Sequence, residues 1–343
     1  MRTLKYKEAI AEALVQAMEK DERVFIMGEG VTDSSGIFGT TLPACRKFPD
    51  RVTDMPLSEA LITGGGTGAA LAGMRPVMVH ARNDFLYLAM DQIANHAAIW
   101  SYMHGGNIDI PWVIRVIVGR GWGNAAQHSQ SLQVLFAHIP GLKVVMPASP
   151  CRAKGLLIAA IEDNSPVIFI EHRSLYDSEE ITPKQYYSFP LGKGRLVKSG
   201  EDLTIIAISF MVVEAMKASL ILKHNGISAE IIDVSSLKPL DKRLMLSSAR
   251  KTGKVIILDT SWKSFGAGAE ISAMISENIF SELKMPIVRI ALPDRPVPSS
   301  PALEEAYYPS VSTIVNTACD LLDRKHISKQ EIEKDICRFQ GPF

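Results

Sequence analysis

Four stretches of the chain carry side chains that a plain α/β scaffold does not require. The first, Val24–Val31, reads VFIMGEGV and ends an apolar run in Gly-Glu-Gly. That pattern sets Glu29 at the carboxyl edge of a sheet, where open α/β folds bind their ligands. Taken alone, a solvated turn glutamate accounts for it better. The second, Asp54–Ala60, reads DMPLSEA and runs into LITGGGTGAALAG. Pro56 and Ser58 fit a helix start, which puts Glu59 in the first turn, where the helix dipole favours a carboxylate whether or not it does chemistry. The third, Arg82–Gln92 (RNDFLYLAMDQ), leads into Ile93, Ala94 and Asn95, with Phe85 and Tyr87 at its beginning. An aromatic residue at a helix start serves a core or a cofactor platform, and the core is the commoner use. The fourth, Gly119–Gln133, reads GRGWGNAAQHSQSLQ. Gly119, Gly121 and Gly123 predict a loop free to move, and His128 follows in a polar cluster. A histidine there is either simply hydrogen-bonded or delivered by a closing loop as an acid or base.

These residues need elements to hold them. Apolar runs predict strands at Val24–Met27, Pro76–His80, Trp112–Val118, Lys143–Met146 and Val167–Glu171. Between them, helical spacing predicts helices at Lys5–Lys20, Ser58–Gly73, Asp84–His104 and Cys151–Asp163. Strands apolar at consecutive positions, alternating with helices, imply a parallel sheet covered on both faces. The Asp84–His104 helix is apolar nearly all round and is expected to be buried or at a subunit interface. Residues 178–202 are polar and carry Pro and Gly, so a first domain is placed at 1–178 and a linker at 179–202. A second, smaller α/β domain at 203–325 repeats the alternation, with strands at Leu203–Ser209, Ala229–Val234, Lys254–Asp259 and Ile287–Ala291. Its helices are expected at Val212–Asn225, Asp241–Lys251, Gly266–Phe280 and Pro301–Leu322, the last capped by the Ser300 hydroxyl. The tail at 326–343 is either disordered or docked elsewhere.

Composition excludes several classes. The 343 residues carry 37 basic and 37 acidic side chains, which gives no bulk reason to expect nucleic acid or an anionic membrane. Cys45, Cys151, Cys319 and Cys337 are scattered and fit reduced thiols. The start lacks the apolar stretch of a signal peptide, so the cytoplasm, or an organelle interior after removal of a targeting segment, is the expected location. Gly64, Gly65, Gly66 and Gly68 imitate a dinucleotide fingerprint, but no strand precedes them and no acidic residue follows at the required spacing. A nicotinamide-dependent oxidoreductase is therefore disfavoured. Close helix–helix packing explains the glycines better.

In order and spacing the motifs are specific. GEG at Glu29, PLSEA at Glu59, DQIAN from Asp91, AAQHSQS at His128, HIPGLKVVMPASP from His138 and AKGLLIAAIEDNSPVIFIE from Ala153 resemble one family. It is the beta subunit of the thiamine-diphosphate-dependent decarboxylating component of 2-oxo acid dehydrogenases, of the pyruvate and branched-chain types. The resemblance runs from about Lys5 to Leu322. It implies a pyrimidine-binding domain of the transketolase-like group, then a smaller transketolase carboxy-terminal domain.

The resemblance also implies roles. Glu59 would bond the aminopyrimidine ring of thiamine diphosphate and support the tautomer that removes the thiazolium proton. Phe85 would stack on that ring and Leu57 touch it. Glu29 would lie between two active sites, and His128 would face the substrate and a lipoyl group. Backbone oxygens of Trp112, Ala160, Ile161, Asp163 and Ser165 would hold a monovalent cation such as K⁺. The diphosphate and its Mg²⁺ would belong to an alpha-type partner with a Gly-Asp-Gly motif, because no Asp-Gly dipeptide occurs here. The implied assembly is two alpha and two beta chains, serving a lipoyl acyltransferase. Two departures bear on the substrate side: Gly30 follows Glu29 where a second acid is common, and HARN at 80–83 replaces a more aromatic run. A split transketolase-like or carboligating enzyme is the alternative reading; a non-catalytic subunit would leave the joint match of Glu59, Phe85 and His128 without a reason.

Overall fold

The computed structural model describes residues 2–119, 123–337 and 339, so Gly121 of the glycine loop lies outside the described residues. The strands in chain order are β1 (Arg2–Lys5), β2 (Val24–Gly28), β3 (Val52–Asp54), β4 (Arg75–His80), β5 (Val113–Val118), β6 (Lys143–Val145), β7 (Val167–His172), β8 (Glu179–Thr182), β9 (Arg195–Lys198), β10 (Leu203–Ala207), β11 (Ala229–Asp233), β12 (Ser236–Lys238), β13 (Val255–Trp262) and β14 (Val288–Leu292). The chain forms two compact units. One takes in Met1–Gly119, Leu135–Leu191 and Leu237–Pro239, the other Arg120–Val134, Gly192–Ser236 and Leu240–Phe343. The units thus divide the chain less simply than a single boundary after residue 178.

The first unit is built on a seven-stranded sheet of order β12-β6-β7-β5-β4-β2-β3. Its inner strands pair in parallel. VIRVIV and VIFIEH are buried at every position, which is what covering both faces of a parallel sheet demands. The helix Tyr6–Lys20 packs against the helix Pro150–Glu162. The second unit has a five-stranded sheet of order β14-β13-β10-β11-β9, parallel except for β9. The expected α/β architecture is therefore present, and the strands and most helices fall where the apolar patterns put them.

Several expectations are corrected. The Asp84–His104 stretch is not one α-helix. It is a 3-10 segment at Asn83–Ala89, a π-helical segment at Gln92–Ala97 and a short α-helix at Trp100–Met103. Leu86, Ala89, Ile93 and Ala97 form its buried stripe, while Tyr87, Leu88, Tyr102 and Met103 are exposed. The Pro301–Leu322 helix breaks into Pro301–Tyr307 and Val311–Leu321. Pro309 lacks an N–H and forces Tyr308 out of helical geometry (φ −87°, ψ 138°). Ser300 does sit at the N-cap with Pro301 behind it, but its hydroxyl makes no capping bond. The stretch expected as a linker contains β8, which pairs antiparallel with β1, and β9, the edge of the second sheet. The tail is docked: Lys329–Ile336 is a helix with a Ser328/Glu331 capping box, and it buries Ile332. In the helix Glu59–Leu71, Gly66 packs against the sheet, Gly64 approaches Gln92 of the π-helical segment, and a Cβ on Gly65 or Gly68 would meet no described atom of another element within 4 Å. A Cβ on Gly66 would lie 2.7 Å from Met78 and 2.9 Å from the Trp112 indole nitrogen.

Candidate functional site

Register brings one group of chemical residues to one edge. Gly28 lies beside both Asp54 and Val79 across β3, β2 and β4, so the residues that follow them leave the sheet together. Gly28 is required there: its φ is +152°, and a Cβ would stand 2.2 Å from the Val79 carbonyl oxygen. Beyond it the Glu29 amide donates to Val79 O (3.2 Å) and the Met55 amide to Gly28 O (2.9 Å). The Val31 amide donates to Asp54 Oδ1 (3.1 Å), which ties the Gly-Glu-Gly turn to the DMPLSEA segment.

Glu29 is buried at 9% exposure. Its Oε1 finds no hydrogen-bond partner among the described residues and lies 3.6 Å from Nδ1 of His80, itself buried at the end of β4. His80 Nε2 is 3.2 Å from the Thr63 hydroxyl, on the helix that begins at Glu59. Ser58 occupies the N-cap of this helix, again without a side-chain capping bond. Glu59 is half-buried in the first turn, and its carboxylate makes no hydrogen bond or ion pair with any described residue. Leu57 beside it is 83% exposed, and Leu61 one half-turn on is also exposed. The 3-10 segment with the half-buried Phe85 packs against this same helix. Glu29, Leu57, Glu59 and Phe85 therefore all belong to the first unit. His128 does not: with Gly123–Val134 it belongs to the second unit, half-buried on a bend five residues ahead of the helix Gln133–His138. Its segment is anchored by Gln133, which donates to the buried Asp259 (2.8 Å).

The expected cation oxygens surround the C-terminus of the helix Pro150–Glu162, an end that favours positive charge. Positive charge is already supplied there. Arg75 donates to the carbonyls of Ile161 (2.8 Å) and Asp163 (3.1 Å), and Lys143 pairs with the Asp163 carboxylate at 2.6 Å. Trp112 O accepts from the Val167 amide (2.9 Å), and the Ser165 amide donates to Asp163 Oδ1 (2.8 Å). Arg75 is a contributor that the sequence reading overlooked, although it stands at the start of a strand with its guanidinium free to reach the helix end.

Two further charged groups are buried in the frame. Arg115 of β5 meets Glu171 of β7 through two bonds, 2.6 and 3.0 Å, and Tyr176 donates to the same carboxylate at 3.0 Å. Burial, then the Glu171 charge, pushes the Tyr176 phenol well above its ordinary value. Lys154 donates to Glu12 (2.7 Å) and to the carbonyls of Pro183 and Gln185. Burial, with the Arg2 charge nearby, nevertheless pushes its ammonium down to about 8.

Most of the chain has known counterparts. The transketolase pyrimidine binding domain matches residues 2–179 and the transketolase C-terminal domain residues 192–314. The acetoin:2,6-dichlorophenolindophenol oxidoreductase subunit beta of Cupriavidus necator is 42% identical, over 92% of this chain and 97% of its own. The pyruvate dehydrogenase E1 component subunit beta of Gracilaria tenuistipitata var. liui is 43% identical, over 87% of this chain and 93% of its own. The chain belongs to the transketolase-like beta subunits of thiamine-diphosphate-dependent 2-oxo acid dehydrogenases. A solved split-gene transketolase, an inactive β4 tetramer, has the fold of this beta subunit. Its TM-score is 0.74 at 24% identity, covering 94% of this chain and 99% of the other.

Proposed function

We propose that this beta subunit supplies the pyrimidine side of a thiamine-diphosphate site that cleaves the bond beside a carbonyl in a small 2-oxo acid or hydroxyketone and passes the acyl group to a lipoyl carrier. The observation that carries the reading is the first turn of the helix Glu59–Leu71. A carboxylate without a partner among the described residues stands between two exposed leucines, Leu57 and Leu61. Apolar surface next to an acid suits an aminopyrimidine ring, which offers a flat apolar body and a basic nitrogen. In this role Glu59 holds a proton at the ring nitrogen, Leu57 and Phe85 pack on the ring and exclude water, and Glu29 lies further along the sheet edge. When bound, the cofactor supplies a carbon nucleophile and an electron sink. His128 is assigned to the acyl-transfer side.

The partner follows from what this chain lacks. It has no Asp-Gly dipeptide, and no group of three or more His, Cys, Asp or Glu among the described residues is placed to hold a metal. The diphosphate and its Mg²⁺ are assigned to an alpha-type chain. The exposed Leu61, Leu88, Tyr102 and Met103 are surface that assembly with that chain and a second beta chain would cover. A monovalent cation at the Ile161 and Asp163 oxygens would share them with Arg75, and no step of the chemistry depends on it. Potassium dependence of the melting temperature tests that part. No helix among the described residues is long and apolar enough to cross a membrane.

The experiment is co-expression with the alpha-type partner, then reduction of an artificial electron acceptor with a panel of 2-oxo acids and acetoin. Dye reduction that needs both chains, thiamine diphosphate and Mg²⁺ is the expected result. Carbon transfer to an aldehyde acceptor without dye reduction would replace this reading with the carboligating one.

A further inference from the structure

The buried histidine at the end of β4 has no place in the site as read so far. His80 is 1% exposed and sits between the two parts of the candidate site. On one side its Nδ1 faces Glu29 Oε1 at 3.6 Å, and neither atom has another hydrogen-bond partner among the described residues. On the other side its Nε2 is 3.2 Å from Thr63 Oγ1, one turn along the helix from Glu59. A water molecule bridging two polar atoms at its tetrahedral angle, with hydrogen bonds of about 2.8 Å to each, sets them about 4.5 Å apart. The 3.6 Å gap is shorter than that span, so the two buried atoms satisfy each other directly.

We propose that His80 is a positioning residue for Glu29: it donates from Nδ1 to the carboxylate, accepts the Thr63 hydroxyl proton on Nε2, and so fixes the sheet-edge acid to the helix that presents Glu59. Donor and acceptor inventories select this arrangement. Of the two neutral tautomers, the one with Nδ1–H toward Glu29 lets the Thr63 hydroxyl donate to the ring lone pair at 3.2 Å, a stronger acceptor than the Met78 sulfur at 3.6 Å, and every proton has an acceptor. The opposite neutral tautomer sets the Nδ1 lone pair against an ionised carboxylate oxygen, two acceptors face to face. Arg82 stands two residues on, but its guanidinium is directed to the Gly119 carbonyl at 2.8 Å. Among the described residues Glu29 is the charged group paired with His80. An aromatic residue at this position would leave the Glu29 Oε1 atom facing an apolar ring. HARN at 80–83 is then more than a loss of aromatic surface: it brings a directional partner to the acid at the cofactor edge.

The inference rests on the proposed function only in taking Glu29 as part of the site, and two measurements separate the claims. Ring-nitrogen NMR on the full-length chain should show neutral His80 protonated at Nδ1. Glu29→Gln should shift the Nδ1 signal, and Thr63→Val should shift Nε2. Protonation at Nε2 with a bare Nδ1, or an Nδ1 signal indifferent to Glu29→Gln, overturns the proposal. The second measurement uses the complex reconstituted with its alpha-type partner. His80→Asn places its amide nitrogen near Nδ1 and keeps the Glu29 contact, whereas His80→Gln places it near Nε2 and keeps only the Thr63 contact. At matched melting temperature, turnover should fall about tenfold in His80→Gln and less than about threefold in His80→Asn, the scale of one directed hydrogen bond. Equal losses in the two variants would mean that His80 only fills space, and overturn the proposal. An inactive wild-type complex whose His80 shows the expected tautomer supports the pairing while counting against the oxidative function.

Discussion

Glu59→Gln separates a chemical carboxylate from a helix-start carboxylate. The substitution keeps size and the hydrogen-bonding edge but removes the acid. In the structure Glu59 is half-buried in the first turn of its helix and touches no charged or polar partner among the described residues. Removing its charge therefore costs the fold only the dipole interaction, about 0.3–1 kcal/mol. For units of this size that moves the melting temperature by no more than about 4 °C. If the carboxyl group holds a proton at the cofactor ring, turnover should fall by roughly 10²-fold, the usual scale for removing a general acid–base participant. A 10²-fold loss is about 2.7 kcal/mol of barrier, several times the stability term. The assay is dye-linked turnover and thermal unfolding on one reconstituted preparation saturated with thiamine diphosphate. Turnover within about threefold of wild type, with a lowered melting temperature, would refute the assignment and leave Glu59 as a helix-start residue.

Three more outcomes follow from the frame. Arg115→Met leaves Glu171 buried without its cation and should cost about 3–5 kcal/mol by denaturant unfolding; a loss under 1 kcal/mol would mean the pair is dispensable. Gly141→Ala should cost about 1–3 kcal/mol, since φ is +90° and the new Cβ would meet the Ala98 carbonyl oxygen at 1.8 Å, a conflict visible as a lower melting temperature. For Lys154 the folded value near 8 lies below the unfolded 10.5, so the unfolded chain binds more protons between those values. Stability relative to Lys154→Met should therefore rise as pH climbs from about 8 toward 10.5 and stay flat below 8. A fall over that window would contradict the burial argument.

The legible parts of the fold are those where one physical signal dominates. VIRVIV and VIFIEH had no reading other than strands buried on both faces, and they form the centre of the first sheet. Pro56-Leu57-Ser58-Glu59 announced a helix start, and the helix begins at Glu59. Where the signal is composition without period, the reading failed. The apolar Asp84–His104 stretch has residues to satisfy several helical windings, and packing of Leu86, Ala89, Ile93 and Ala97 chose 3-10 and π segments. The polar 178–202 stretch hid β8, because an edge strand paired on one side keeps its exposed residues polar. His80 was visible only as a departure in HARN; its partners Glu29 and Thr63 come from 51 and 17 positions away, and only strand register brings them together.

The substrate lies beyond reach of overall similarity for a related reason. Identity is 42% to a subunit of an acetoin oxidoreductase and 43% to a subunit of a pyruvate dehydrogenase, so the average over some three hundred positions does not choose between them. An identity average weighs every position alike, and many positions are buried ones such as those of β5 and β7, whose residues answer to packing whatever the enzyme cleaves. Substrate choice rests instead on a few contacts, and a single contact to one polar group is enough to shift preference by a large factor. In this chain Gly30 and His80–Asn83 flank the sheet edge proposed to carry the cofactor. A beta subunit can keep Glu59, Leu57 and Phe85 and still change what it accepts by altering the acid's neighbours, so the substrate panel is most informative when run with His80→Asn and His80→Gln beside the wild type.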